Sequence, residues 1–152
     1  MAARFQLVID CTDPEPLARF WAAALRYQLQ PPPAGFDSWD DYWRDFGLPE
    51  EDLGRGEDRI FDPDGHGPGI WFQVVTDRKT VKNRLHIDIT VSGGCDIGGR
   101  DVPIQTRKQR VDAEARRLAA LGGTITTVMQ QDGMEHYAVG MKDPEGNEFD
   151  IN

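Results

Sequence analysis

The chain has 152 residues, 39% of them hydrophobic, with 17 basic and 26 acidic side chains and a formal net charge of −9. That length suits a single domain with a real core, and the acidic balance argues against nucleic acid or an anionic membrane surface as partner, since both attract basic patches. No stretch approaches the ~20 apolar residues of a transmembrane helix, and the start, Met1-Ala2-Ala3-Arg4-Phe5, lacks the apolar run of a signal peptide.

Phe5 to Cys11 is a β-rich run and reads as a strand. Thr12-Asp13-Pro14 opens a helix: Asp13 suits its cap, and Pro14 its first turn, where no amide partner is needed. Leu17, Phe20, Trp21, Ala24 and Leu25 recur at helical spacing and give one apolar face. Pro31-Pro32-Pro33 bars further extension of that helix. Residues 34–57 are the least regular part and read as an insertion. Within them Ser38-Trp39-Asp40-Asp41 forms a loose capping box, and Trp39, Tyr42, Trp43 and Phe46 follow at i, i+3, i+4 and i+7. The spacing predicts a short helix with one aromatic face, which either packs as core or walls a ligand pocket. Arg59 to Asp62 and Ile70 to Val75 read as strands joined by a Gly/Pro-rich turn.

Thr76 to Asn83 links two halves. Leu85 to Val91 alternates toward a strand, and Ser92 to Pro103 is a glycine-rich loop. Thr106-Arg107-Lys108-Gln109 reads as a capping box opening a second long helix, whose Val111, Ala115, Leu118 and Ala119 face inward; Gly122-Gly123 closes it. Its basic run, Arg107, Lys108, Arg110, Arg116 and Arg117, reads as a solvated face. Strands follow at Thr124 to Val128, His136 to Met141 and Asn147 to Ile151. His136 and Tyr137 are strand neighbours, so their side chains point to opposite faces. Cys11 and Cys95 lie far apart without a CxxC spacing, which argues against a disulfide framework or thiolate zinc site and makes a reducing cytoplasm the expected compartment.

Two stretches resemble one another. Asp62-Pro63-Asp64-Gly65 precedes the run Gly69-Ile70-Trp71-Phe72-Gln73-Val74, and Asp143-Pro144-Glu145-Gly146 precedes Asn147-Glu148-Phe149-Asp150-Ile151. Each is a turn feeding a strand: Asp favours its start, Pro fixes φ, and Gly accepts a positive φ. The element order is then a βαβββ-like unit occurring twice in one α+β domain spanning 1–152. Module one covers about 4–76 with the insertion at about 34–57, and module two about 84–152.

This order, together with Asp10-Cys11-Thr12-Asp13-Pro14 and Leu17-Ala18-Arg19-Phe20-Trp21, then Val81 to Asp88, then Asp143 to Phe149, resembles the vicinal oxygen chelate superfamily. That superfamily includes glyoxalase I, the extradiol dioxygenases and the bleomycin-resistance proteins. The resemblance implies two βαβββ modules forming a curved mixed sheet around a central cleft, a small-molecule substrate or drug-like ligand, and a homodimer. It places up to four metal ligands on inward-facing strand positions, two per module, which fall on Gln6, Gln73, His86 and Asp150. Glyoxalase-I-like sites resemble Gln or His, Glu, His, Glu; here one carboxylate is an amide and the other is a methylene shorter, so the ligand charge falls from −2 to −1.

Two functions follow from the resemblance. One is a glyoxalase-like lyase or isomerase, in which a divalent nickel, zinc, manganese or iron ion chelates two adjacent oxygens and Asp150 or His136 moves the proton. The other is a metal-free binding protein of the bleomycin-resistance type, in which Trp39 and Trp43 stack on a flat ligand and Tyr137 lines the pocket. Extradiol cleavage fits less well, since such iron sites need two His and one carboxylate and only His86 and Asp150 match. Lys82-Asn83-Arg84 either orients the following strand or binds a substrate anion.

Overall fold

The computed structural model describes residues 3–54, 56–93, 102–130 and 135–152. Cys95 and most of the expected Ser92–Pro103 loop lie outside the described residues. The chain divides into two compact units, Met1–Arg78 and Lys79–Asn152.

In the first unit, strand β1 (Leu7–Cys11) leads into helix α1 (Pro14–Leu25), with Asp13 at its N-cap. The helix ends at Arg26, which takes the left-handed conformation at φ 59°. The chain then turns into β2 (Gln28–Leu29), so the three prolines follow a strand. Helix α2 (Trp39–Asp45), a 3-10 turn at Glu50–Asp52, β3 (Arg59–Phe61) and β4 (Ile70–Val74) complete the unit. The sheet order is β1-β4-β3-β2, with β1 parallel to β4 and the other pairs antiparallel.

Period-two alternation sets the faces of this sheet. Cys11, Ile60, Ile70 and Phe72 are buried, and α1 sends Leu17, Ala18, Phe20, Trp21 and Ala24 into the same core. Each large apolar side chain buried this way contributes about 1.5–3 kcal/mol. The alternate residues Val8, Asp10, Arg59, Trp71 and Gln73 occupy the opposite, helix-free face.

The second unit repeats the order: β5 (Asp88–Ile89), α3 (Ile104–Ala120), β6 (Thr124–Gln130), β7 (Tyr137–Lys142) and β8 (Glu148–Ile151), in the sheet order β5-β8-β7-β6. Here β5 is parallel to β8. Val111, Ala115 and Leu118 of α3 are buried, as are Val139, Met141, Phe149 and Ile151 of the sheet. Helix α3 starts two residues before the expected capping box. Pro103 stands at its N-cap with φ −54°, an angle its ring imposes, and Thr106 falls inside the first turn. At the other end Gly122 takes φ 106°, and Gly123 donates its N–H to the Leu118 carbonyl at 3.0 Å.

The architecture is thus α+β, two βαβββ modules with α2 inserted into the first. Among the described residues no helix is long and apolar enough to cross a membrane.

Candidate functional site

The two Asp-Pro-acid-Gly segments fold as matching turns. Asp62 accepts backbone N–H groups from Asp64, His66 and Gly67 at 2.7–2.9 Å, which holds its carboxyl below the usual carboxylate range, and Gly65 takes φ 71°. Asp143 accepts from the N–H of Glu145 and Asn147 at 3.0 and 2.9 Å, and Gly146 takes φ 89°. Both acids are committed to their turns.

Beyond the second turn, Glu148 acts as a latch. Its carboxylate pairs with Lys79 at 2.8 Å and accepts the Asn83 N–H at 3.0 Å. The Lys79 hydrogen bond, then that of Asn83, lowers its pKa to about 2. Asn83 also donates its side-chain amide to Asn147 at 3.2 Å. Residues 79–83 are therefore pinned to β8, and Asn83 orients the strand that follows.

That strand brings up the donor cluster. Asp88 and Asp150 are direct register partners of the parallel β5–β8 pair. His86, two residues before Asp88, shares its side of the strand. His86 Nε2 lies 3.2 Å from Asp88 Oδ1 and 3.5 Å from Asp150 Oδ2. One ligand atom from each of the three residues lies within 4.8 Å of the others, and among the described residues no other group of His, Cys, Asp and Glu does this. Asp88 Oδ2 accepts from Asn152 Nδ2 at 3.4 Å, and the Asn152 amide oxygen accepts from Thr90 at 2.9 Å. Asp150 Oδ1 turns the other way, over Gly140: a Cβ there would lie 3.4 Å from it, 3.2 Å from Thr126 Oγ1 and 2.8 Å from Thr127 Cγ2. Thr126 is the extra residue of an irregularity in the β6–β7 pairing.

The donor set fits a divalent cation. Nitrogen and oxygen ligands bonded at about 2.0–2.2 Å stand about 3–3.5 Å from one another, the spacing His86 keeps to both acids. Two adjacent carboxylates also favour a positive charge beside them.

The first unit has a parallel arrangement with different chemistry. Arg59 stands three residues before Asp62 and pairs with Trp71, as Gly140 stands three before Asp143 and pairs with Asp150. Trp71 pairs in turn with Val8, as Asp150 does with Asp88, so two residues earlier Gln6 holds the place that His86 holds in the second unit. Gln6 lies before β1 and is exposed, with Gln73 half-buried on the helix-free face.

His136 is exposed just before β7. It lies four residues from Gly140, the partner of Asp150, which is about 13 Å at the strand rise, and it is not in the cluster. Tyr137 points to the α3 side, where its hydroxyl donates to Asp112 at 2.6 Å and Lys108 stands over its ring. The Asp112 hydrogen bond, then burial, raises its pKa.

In the insertion, Ser38 caps α2 by accepting the Asp41 N–H at 3.1 Å and donating to its carboxylate at 2.7 Å. The aromatic face is a cluster of half-buried rings: Trp39 and Trp43 stack with centroids 5.9 Å apart, Tyr42 meets both edge to face, and Phe46 is exposed. Trp39 donates its indole N–H to the Gln30 carbonyl at 2.9 Å and packs on Gly56, where a Cβ would sit 2.1 Å from Trp39 Cβ. Arg59, on the helix-free face, stands over both Trp39 and Trp71, at 5.7 and 5.2 Å from the ring centroids. The insertion is thereby tied to the helix-free face of the first sheet.

The sequence pattern of a family described as glyoxalase-like domain matches residues 6–152. No curated protein matches the chain. Among solved structures, a glyoxalase/bleomycin resistance protein/dioxygenase family enzyme from Burkholderia phytofirmans is 14% identical, with a TM-score of 0.56 over 97% of this chain and 94% of that one. A point mutant of the fosfomycin resistance protein FosX from Listeria monocytogenes, solved with Mn(II) and 1S,2S-dihydroxypropylphosphonic acid, is 12% identical, with a TM-score of 0.58 over 100% and 90%. A glyoxalase-related enzyme from Fulvimarina pelagi is 14% identical, with a TM-score of 0.54 over 99% and 87%. At these identities the likeness is one of fold.

Proposed function

The chain belongs to the glyoxalase-like domain family, and from that premise we propose that it is a metal-assisted lyase or isomerase of a small oxygenated substrate, working at His86, Asp88 and Asp150. The observation that carries this reading is the convergence of one imidazole and two carboxylates on a single point. Such a nitrogen–oxygen set suits manganese, iron, nickel or zinc rather than a thiophilic ion. A divalent ion held there supplies Lewis-acid stabilisation of negative charge on substrate oxygens.

The chain's own residues have distinct tasks. His86 and Asp88 hold the cation, and Asn152 with Thr90 fixes the second oxygen of Asp88. Asp150 divides its carboxylate, with Oδ2 toward His86 and Oδ1 toward Gly140, and is the group that takes and returns the proton. Gln6 and Gln73 belong to the first unit, and the three-donor set does not require them.

The test is turnover. Protein purified without chelator is loaded in turn with Mn(II), Ni(II), Zn(II) or Fe(II) and assayed on small 2-hydroxyketones and thiol hemiacetals. Turnover abolished by chelation and by D150N supports the reading. A protein that binds such molecules without metal and leaves them unchanged overturns it and favours the binding-protein alternative.

A further inference from the structure

A second group of polar side chains lies in the first unit and takes no part in the His86–Asp88–Asp150 cluster. Arg59 is mostly buried, with its side chain 27% exposed. Its Nη1 donates to Asp58 Oδ1 at 2.8 Å, and among the described residues nothing else accepts from it. The Nε–Nη2 edge, a two-donor fork, is left without an acceptor among the described residues. Its atoms are not sealed from solvent, so the fork is open to an incoming ligand.

Everything around Arg59 fixes its orientation rather than satisfying its fork. The cation stands over the rings of Trp39 and Trp71. Asp58 is itself fully engaged: Oδ1 takes Arg59, and Oδ2 accepts the Trp71 indole N–H at 2.9 Å. Burial pushes the Asp58 carboxyl upward in pKa, against the pull of Arg59 and Trp71. The neighbours offered to a ligand are two indole rings. On the same sheet face, two residues beyond Trp71, stands the Gln73 amide.

We propose that Arg59 is the recognition point of a small organic carboxylate on the helix-free face of the first sheet. A guanidinium fork pairs two donors with the two coplanar oxygens of a carboxylate, and the indole rings accommodate the apolar remainder of such a molecule. The orientation is set before binding, so little freedom is lost on association. This assignment is independent of any metal in the second unit.

The test follows the Arg59 Nε–Hε resonance by ¹⁵N NMR while acetate or phosphate is added at constant ionic strength. Acetate should shift the resonance saturably, and phosphate should bind at least several-fold more weakly. R59K, which keeps the charge but loses the fork, should lower acetate affinity about tenfold, read by tryptophan fluorescence. No saturable shift, or unchanged affinity in R59K, would overturn the proposal. Phosphate binding tighter than acetate would overturn the carboxylate assignment.

Discussion

Asp88 and Asp150 stand side by side on adjacent parallel strands, and His86 reaches both. Without a cation, like charges directly opposite one another on a sheet cost about 0.2–1 kcal/mol. D88N in metal-free protein should therefore unfold at the same temperature as the parent or slightly above it. With excess Mn(II) the order should reverse, because the parent gains stability by binding and the variant does not. Thermal scans with and without the ion check both halves. Destabilisation of D88N in the metal-free state would mean that Asp88 serves the fold instead.

Glu148 makes stability depend on acid. Its folded pKa of about 2 lies below the ordinary 4.5, so its contribution is present above pH 4.5 and lost as pH falls toward 2. E148Q should be less stable than the parent at pH 7, and the gap should close by pH 2. Urea midpoints across that range measure it. The gap should also shrink in high salt, since the pair with Lys79 is partly open to solvent.

Gly140 lets the side chains of Thr126, Thr127 and Asp150 close over its Cα. Gly140→Ala would place a methyl 2.8 Å from Thr127 Cγ2 and 3.4 Å from that oxygen. Overpacking of this kind costs about 1–3 kcal/mol. Turnover should fall as well, because the methyl presses on the Asp150 carboxylate and on Thr127 beside it. Equal turnover in the folded variant would remove Gly140 from the site.

Gly56 performs a comparable service for Trp39. Gly56→Ala meets Trp39 Cβ at 2.1 Å and Cγ at 2.8 Å, so the indole must move. A melting temperature lower by about 2–4 °C per kcal/mol lost is expected for a chain of this size. The Trp39–Trp43 stack should loosen as well, seen in near-ultraviolet circular dichroism.

Much of this was legible in the residues. Leu17, Phe20, Trp21 and Ala24 mark α1 because a buried helix face must repeat at 3.6, and the paired Asp-Pro-acid-Gly turns announce two similar modules. Strand β2 was not legible: at two residues, Gln28–Leu29 is too short to show a period, and it exists because β3 pairs with it. Asp88 is the instructive omission. The spacing His86-x-Asp88 puts both side chains on one strand face, a signal present in the sequence but outside the four positions the family resemblance points to. The match of Gln6 with His86 is visible because each sits near the start of an apolar run, and the strand pairings counted from the two turns align the same two positions. The same count sets Trp71, not Gln73, opposite the place of Asp150, a shift hidden in the sequence by the extra residues after the first turn.

The most direct test of the metal centre is the metal content of the untagged, chelator-free protein after equilibration with Mn(II), Ni(II), Zn(II) or Fe(II), measured by elemental mass spectrometry beside H86A, D88N and Q73A. One equivalent in the parent and in Q73A, lost in H86A and D88N, is the predicted result. No bound metal in the parent at excess ion, or full retention in D88N, would contradict it.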